Sequence, residues 1–143
     1  MQVQPYLFFE GRCQEALEFY RHAVGAKPID LMLYKDNPEP QAGEGCASGS
    51  APPPDKVMHA SFSIGETTLM ASDGMASGKA EFKGMSLSIT AANDAEAKRL
   101  FDALSDGGQV QMPLAKTFFA SSFGMVADRF GVSWMVIALP PRP

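Results

Sequence analysis

The side chains best suited to acid–base chemistry are the two histidines, His22 and His59. His59 lies in a segment where polar and apolar residues alternate, on the same side as Ser61 and Ser63. Since imidazole titrates near neutral pH, His59 is a candidate general acid or base acting on a small molecule. The alternative is a structural histidine that is hydrogen-bonded across a sheet, and it explains the pattern at least as well. His22 falls late in a predicted helix, where it faces solvent or the C-terminal carbonyl groups.

Serine and methionine supply the other groups that could contact a ligand. Ser86 and Ser88 alternate with apolar residues. They face either a ligand on the other half of the chain, or else water or a dimer partner. We assign Met70 and Met135 to the ligand side of their strands and Trp134 to the helix-facing core. Methionine suits a pocket that adapts to the shape of its ligand, although it is more often found in cores.

Other kinds of site are not indicated. No serine has neighbouring Asp and His residues in a nucleophile arrangement. The pair Gly107-Gly108 is followed by neither the lysine nor the helix start that a phosphate-binding loop requires. Cys13 and Cys46 lack the close spacing of a metal-ligand pair, and as free thiols they fit a reducing compartment.

The composition of the chain limits the kinds of partner that we expect. The net charge of −4 and the absence of a Lys or Arg run argue against a nucleic-acid partner. No apolar run is long enough to span a bilayer, and residues 1–9 lack the pattern of a signal peptide. We therefore expect a cytoplasmic protein whose partner is a small-molecule ligand, with no membrane association. A chain of 143 residues predicts one domain.

Two segments have helical spacing of apolar residues. Residues 12–24 align Cys13, Ala16, Leu17, Tyr20 and Val24, and Gly25 follows as a stop. Residues 93–106 begin with Asn93 and Glu96 at capping-box spacing and align Ala97, Leu100, Phe101 and Leu104.

Eight further segments are predicted as strands, at 3–9, 27–34, 57–64, 67–72, 85–91, 109–116, 123–128 and 132–138. Asp73 and Asp128 follow strands, which predicts turn roles. Residues 35–55 hold five prolines and almost no apolar residue, so we expect a mobile loop. Residues 75–83 are predicted as a second loop.

An internal repeat organises these elements. The helix segment that starts at Glu15 matches the one at Glu96 with an offset of 81, and Leu69-Met70 matches Trp134-Met135 with an offset of 65. The extra length of the proline-rich loop absorbs the difference. The sequence therefore predicts two strand–helix–three-strand modules, at about 1–74 and 84–138, within the single domain 1–143.

A resemblance to a known family is carried by residues 5–12, 15–20, 25–26, 57–60, 69–73 and 123–134. At family level these segments resemble PhnB-like proteins of the glyoxalase, bleomycin-resistance and extradiol-dioxygenase (vicinal-oxygen-chelate) superfamily. One departure is Phe119, where Trp is common. It implies an α+β fold of two βαβββ modules, with curled mixed sheets around a cleft, outer helices and commonly a homodimer.

Catalytic members of this superfamily usually hold a divalent metal ion in the cleft. The resemblance places the four ligand positions at or near Pro5, Met70, Gly84 and Met135. Proline and glycine offer no side-chain ligand, and thioethers are soft donors. We therefore expect no metal and no other cofactor.

These considerations favour a metal-free protein that binds a small molecule in the cleft. We expect the cleft to be lined by Leu7, Phe9, His59, Ser61, Met70, Ser72, Ser86, Ser88 and Met135. One alternative is a glyoxalase-like lyase or isomerase that uses His59 as acid or base. Another is a structural or regulatory dimer with a vestigial cleft. PhnB-like chains have been labelled methyltransferases, but nothing in the sequence resembles a nucleotide-type loop for S-adenosylmethionine.

Overall fold

The computed structural model describes residues 1–36 and 53–140. The chain divides into two compact units, Met1–Ala80 and Glu81–Pro143, and each is described by itself. Most of the loop predicted at 35–55, including Cys46, lies outside the described residues. Residues 73–86, which contain the second predicted loop, have neither helix nor strand. No helix in the described part of the chain has the length and apolarity needed to cross a membrane.

The first unit forms a four-stranded sheet with one helix. Its elements are β1 (Tyr6–Phe8), α1 (Cys13–Ala23), β2 (Lys27–Leu33), a 3₁₀ turn (Tyr34–Asp36), β3 (Val57–Ile64) and β4 (Thr67–Ser72). The strand order is β1-β4-β3-β2, in which β1 runs parallel to β4 and the other pairs are antiparallel. The strand predicted at 3–9 is the least accurate prediction in this unit, because only Tyr6–Phe8 pair with a neighbouring strand.

The second unit repeats this arrangement. Its elements are β5 (Leu87–Ala91), α2 (Asp94–Ser105), β6 (Gln109–Ala115), β7 (Ser122–Ala127) and β8 (Ser133–Ala138). The order β5-β8-β7-β6, with a parallel β5–β8 pair, matches the first sheet strand for strand. The predicted α+β class with two βαβββ modules is confirmed.

The core of the first unit lies between α1 and one face of its sheet. Tyr20 is fully buried, and its ring stacks against Phe62 with a centroid distance of 6.3 Å. Phe9 contacts the same ring at 6.1 Å, and Leu7 is buried beside it on the helix-facing side of β1. Burying each large apolar side chain contributes roughly 1.5–3 kcal/mol, so this cluster holds α1 on the sheet.

The core of the second unit is built in the same way around Trp134. Trp134 is 2% exposed, as its predicted core position requires, and the apolar face of α2 provides Leu100 and Leu104. The indole Nε1 donates a hydrogen bond of 2.9 Å to the buried Asp128 carboxylate. Asp128 also accepts the backbone N–H groups of Phe130 and Val132, which confirms its predicted turn role.

The two helices begin in different ways. The predicted cap of α2 is confirmed, because the Asn93 side chain accepts the backbone N–H of Glu96 at 2.8 Å. Helix α1 has no side-chain cap from its own N-cap residue, Arg12. Instead, Asp73 at the end of β4 accepts the backbone N–H of Cys13, so a remote carboxylate satisfies the first turn.

Candidate functional site

The face of the first sheet opposite α1 carries the side chains of chemical interest. Paired residues on neighbouring strands point to the same face, and the register aligns Tyr6 with Met70 and Met70 with Ser61. The same alternation places Phe8 beside Tyr6 on β1, and their ring centroids lie 4.9 Å apart. We call this surface, with His59, the Tyr6–His59 face.

Tyr6 and His59 form the polar centre of this face. The Tyr6 hydroxyl lies 3.0 Å from Nδ1 of His59, and the ring centroids are 5.6 Å apart. Because Tyr6 pairs with Met70 and not with the strand that carries His59, its ring reaches across β4 to make this contact. On the other side, Met32 of β2 pairs with His59. The imidazole is thereby flanked by a phenol and a thioether.

The exposure of these side chains suits ligand contact. Phe8 is 51% exposed, Met32 40% and Tyr6 36%, whereas His59, Ser61 and Met70 are half-buried. An apolar surface that surrounds one hydrogen-bonded imidazole is typical of small-molecule sites, in which few polar groups orient a largely apolar ligand.

The structure does not place every predicted site residue on this face. Leu7 and Phe9 are 1% and 2% exposed and pack in the helix-side core, so their predicted place in the ligand cleft is wrong. Tyr6 and Phe8 lie on the ligand-facing side of β1 instead. The reason lies in the register, since Leu7 pairs with Ala71, whose side chain faces the core. Ser72 pairs with Phe8 and so points to the Tyr6–His59 face, but it is 3% exposed and its Oγ accepts the backbone N–H of Gly74.

Methionines dominate the corresponding face of the second sheet. The register aligns Ser88 with Met135, Met135 with Met125, and Met125 with Met112, which forms one row across all four strands. We call this surface the Ser88–Met135 face. It brings together the predicted site residues Ser88 and Met135.

Ser86 takes part in a short polar chain at the end of the same sheet. Its hydroxyl donates to Oγ of Ser133 at 3.0 Å, and that hydroxyl donates to Oε1 of Gln111 at 3.1 Å. Gln111 was not predicted as a site residue. Its position on β6 offers no signal in the sequence, because the contact depends on the antiparallel order of β6, β7 and β8.

The residues present do not fit a hard divalent cation. The register places Tyr6 beside Met70 in the first unit and Ser88 beside Met135 in the second. Each pair offers one soft thioether and one phenol or hydroxyl, which are poor donors for zinc, nickel or iron(II). Within residues 1–36 and 53–140, no three His, Cys, Asp or Glu side chains are grouped to hold a metal ion.

His22 belongs to a surface cluster on α1, on the side of the first sheet opposite the Tyr6–His59 face. It is 68% exposed, and its Nε2 lies 3.0 Å from the Glu18 carboxylate, which also pairs with Arg21. Hydrogen bonds from Arg21 and His22 lower the pKa of Glu18 to about 2. The predicted solvent-facing position of His22 is confirmed, and His59 is the histidine that lies on a candidate ligand face.

Tyr6 is the main residue of the candidate site that the sequence did not indicate. It lies in an entirely apolar run, Tyr6-Leu7-Phe8-Phe9, where no polar residue shows which side faces the core. Its hydroxyl is the only polar group of that run. The ability of this hydroxyl to form a hydrogen bond was the signal that the sequence offered.

Comparisons with known proteins find relatives that match the chain over nearly its whole length. The sequence model of a family described as 3-demethylubiquinone-9 3-methyltransferase matches residues 1–137. Protein YjdN of Escherichia coli (strain K12) is 35% identical over 145 residues, covering 100% of this chain and 99% of that protein.

Two solved structures resemble the chain over nearly its whole length. Protein PA1353 from Pseudomonas aeruginosa is 44% identical, with a TM-score of 0.81 and coverage of 97% of this chain and 98% of that one. The PhnB protein from Bacillus cereus is 26% identical, with a TM-score of 0.77 and coverage of 96% and 99%.

More distant structures support the fold alone. A glyoxalase-related enzyme from Fulvimarina pelagi has a TM-score of 0.61 at 18% identity. The fosfomycin resistance protein FosX from Mesorhizobium loti has a TM-score of 0.59 at 9% identity.

Proposed function

The chain belongs to the PhnB-like family of the glyoxalase and bleomycin-resistance (vicinal-oxygen-chelate) superfamily, and from that premise we propose that it binds a small organic molecule without a metal ion. The observation that carries the proposal is the pairing of Tyr6 with Met70 and of Ser88 with Met135. These pairs offer soft, polarisable and hydrogen-bonding groups where a hard cation would need imidazole or carboxylate.

The Tyr6–His59 face is the surface to which we assign the ligand. Its partly exposed rings, Tyr6 and Phe8, can cover a flat apolar group, while Met70 adapts to the outline of that group. The sequence lacks a glycine-rich loop leading into a helix that would hold a nucleotide-type methyl donor, so methyl transfer is no part of the proposal.

Metal analysis tests the metal-free part of the proposal. Protein purified without chelators is expected to contain far less than one equivalent of zinc, nickel, iron or manganese. Addition of each metal is expected to leave the thermal midpoint unchanged. A stoichiometric metal ion that is lost in a Met70→Ala variant would overturn this part.

A thermal-shift screen tests binding itself. A compound library is expected to yield ligands that raise the midpoint of the wild type and not that of Phe8→Ala. Phe118→Ala is the matched control, because it also removes an exposed aromatic ring, 99% exposed in the β6–β7 connection. Equal loss of binding in both variants, or no stabilising ligand alongside turnover of one compound, would contradict the proposal.

A second candidate is a glyoxalase-like lyase or isomerase that uses His59 as acid or base. The hydrogen bond between Tyr6 and His59 favours it, because catalytic imidazoles are oriented by a partner on the second ring nitrogen. Incubating each identified ligand in deuterated water separates the two functions. Proton-transfer catalysis incorporates deuterium at a ligand carbon and stops in His59→Gln, whereas simple binding gives no incorporation in either protein.

We further propose that the protein is a cytoplasmic homodimer. The dimer is inferred from the family, and a reducing location suits the free thiol of the buried Cys13. Light scattering during size-exclusion chromatography is expected to give twice the mass of the chain. A dimer that binds no compound and catalyses no exchange would instead support a structural or regulatory role.

A further inference from the structure

We infer that the Tyr6–His59 pair makes its face selective for a ligand that carries an anionic oxygen beside a flat apolar body, such as an aromatic carboxylate. This inference rests on the proposed function, because it specifies the ligand of the same face. The argument begins with the 3.0 Å contact between the Tyr6 hydroxyl and Nδ1 of His59. A neutral imidazole carries its proton on one nitrogen only, so this contact determines which one.

Tyr6 serves as the donor in this pair. A phenol donates a hydrogen bond more readily than it accepts one, and the lone pair of an imidazole nitrogen is a strong acceptor. With Nδ1 occupied as the acceptor, the imidazole proton resides on Nε2. Within the described part of the chain, Nε2 of His59 has no hydrogen-bond partner. The face therefore offers a ligand one oriented N–H donor.

The surroundings of His59 define the rest of the ligand. Tyr6 and Phe8 form a tilted ring pair at 4.9 Å, and Met32 and Met70 extend the apolar surface on β2 and β4. A flat ring can cover this surface while one of its substituents reaches the Nε2–H group. An anionic oxygen gains most from that donor, since charge-assisted hydrogen bonds are about twice as strong as neutral ones.

The register places other polar side chains farther along the strands than His59. Asp30 of β2 pairs with Ser61, and Lys27 pairs with Ser63 farther along the strand. Asp30 also borders a pocket of about 190 Å³ between α1 and β2, together with Arg21 and Gln14 of the helix. The imidazole is the donor that lies beside the Tyr6–Phe8 ring pair.

The tautomer is measured without any ligand. Long-range ¹H–¹⁵N correlation spectra of histidine-labelled His22→Gln protein contain the His59 signals alone, because the chain has two histidines. At about pH 8, where a typical imidazole is neutral, we expect the Nε2–H tautomer in this protein and a mixture after Tyr6→Phe. A proton on Nδ1 in the protein with Tyr6 intact would overturn the inference.

Matched probes test the selectivity. Isothermal titration with 2-naphthoate, 2-naphthylmethanol and 2-naphthylmethylammonium is expected to show about tenfold tighter binding of the carboxylate than of the alcohol, and weaker binding of the cation. Tyr6→Phe and His59→Gln are expected to reduce this preference, whereas Phe118→Ala preserves it. Equal affinities of the three probes, all abolished by Phe8→Ala, would overturn the inference and leave the proposed binding function intact. Binding of none of them would also overturn it, while the library screen decides the binding function separately.

Discussion

The Asp73 carboxylate accepts the backbone N–H of Cys13 at 2.8 Å and thereby joins the end of β4 to the first turn of α1. The same oxygen accepts the N–H of Gly11, and the second oxygen accepts that of Val57 at 2.7 Å. Asp73 is 1% exposed, so three backbone donors in the interior of the first unit depend on one side chain. Its role thus extends well beyond the turn that the sequence predicted.

Replacing Asp73 with alanine is expected to lower the free energy of unfolding by about 3–5 kcal/mol, because three backbone N–H groups lose a charged acceptor. Asp73→Asn is expected to be destabilising as well, since its amide N–H₂ would face one of these donors. Urea denaturation followed by circular dichroism measures both changes. Asp106→Asn is the control, because Asp106 is 77% exposed and its ion pair with Arg129 contributes little. A cost for Asp73→Ala as small as that of the control would contradict this account.

The Cys13 thiol is expected to be almost inert in the folded protein. Burial, reinforced by the negative charge of Asp73, raises the pKa of Cys13 from 9.0 to about 12. Only the thiolate reacts with iodoacetamide, so alkylation at about pH 8 should be about a thousandfold slower than for a thiol of ordinary pKa. Measuring a Cys46→Ser protein isolates Cys13, and labelling at the same rate with and without denaturant would refute the expectation.

The same shift predicts how stability depends on pH. The folded state keeps the thiol proton up to about pH 12, whereas the unfolded chain releases it near pH 9. The contribution of this thiol to the free energy of unfolding is therefore fully present below pH 9, and it is lost as the pH rises from 9 towards 12. In Cys13→Ala the decline over this range is expected to be shallower. If the free energy of unfolding of Cys13→Ala fell as steeply with pH as that of the wild type, other groups would cause the loss of stability at alkaline pH.

Asn93→Ala is expected to destabilise the second unit by about 1 kcal/mol, because Glu96 then loses its capping acceptor. Asn93→Asp retains an acceptor oxygen and should remain within a few tenths of the wild type. The fluorescence of Trp134, the one tryptophan of the chain, follows unfolding of this unit. Equal losses for the two variants would show that the hydrogen bond is not the cause.

Gly124→Ala is expected to cost about 1–3 kcal/mol through overpacking. A Cβ at this position would lie 2.7 Å from a ring carbon of Phe101 and 3.0 Å from Cα of Leu114, between α2 and β6. Combining it with Phe101→Leu should cost less than the sum of the single changes, since the smaller side chain leaves room. Strict additivity in thermal denaturation would rule out this contact as the cause.

The fold could be predicted largely because local patterns and the repeat agreed. The bounds of β3 and β4 match the expectation, since polar and apolar residues alternate there and Gly65 in the turn adopts a positive φ of 59°. The same rule failed for β1, where Leu7 and Phe9 are as apolar as Tyr6 and Phe8. Only strand pairing decides which of them face the helix.

The candidate site was predictable in part. Strand alternation groups His59 with Ser61, and the register places Ser61 beside Met70 and Met135 beside Met125. The partner of His59 could not be found in this way, because Tyr6 is 53 residues distant and reaches it across an intervening strand. The order of strands in a sheet is a property of long-range pairing, and alternation carries no information about it.

The remote cap of α1 has a consequence for the order in which the two similar units fold. The acceptor for the first turn of α2 lies three residues away, so that turn can nucleate from local sequence. The corresponding bonds of α1 join groups 60 and 62 residues apart and must await closure of a long segment of chain. Contacts between residues so far apart in the sequence slow folding. We therefore expect α1 of the first unit to form late and α2 of the second unit to form early.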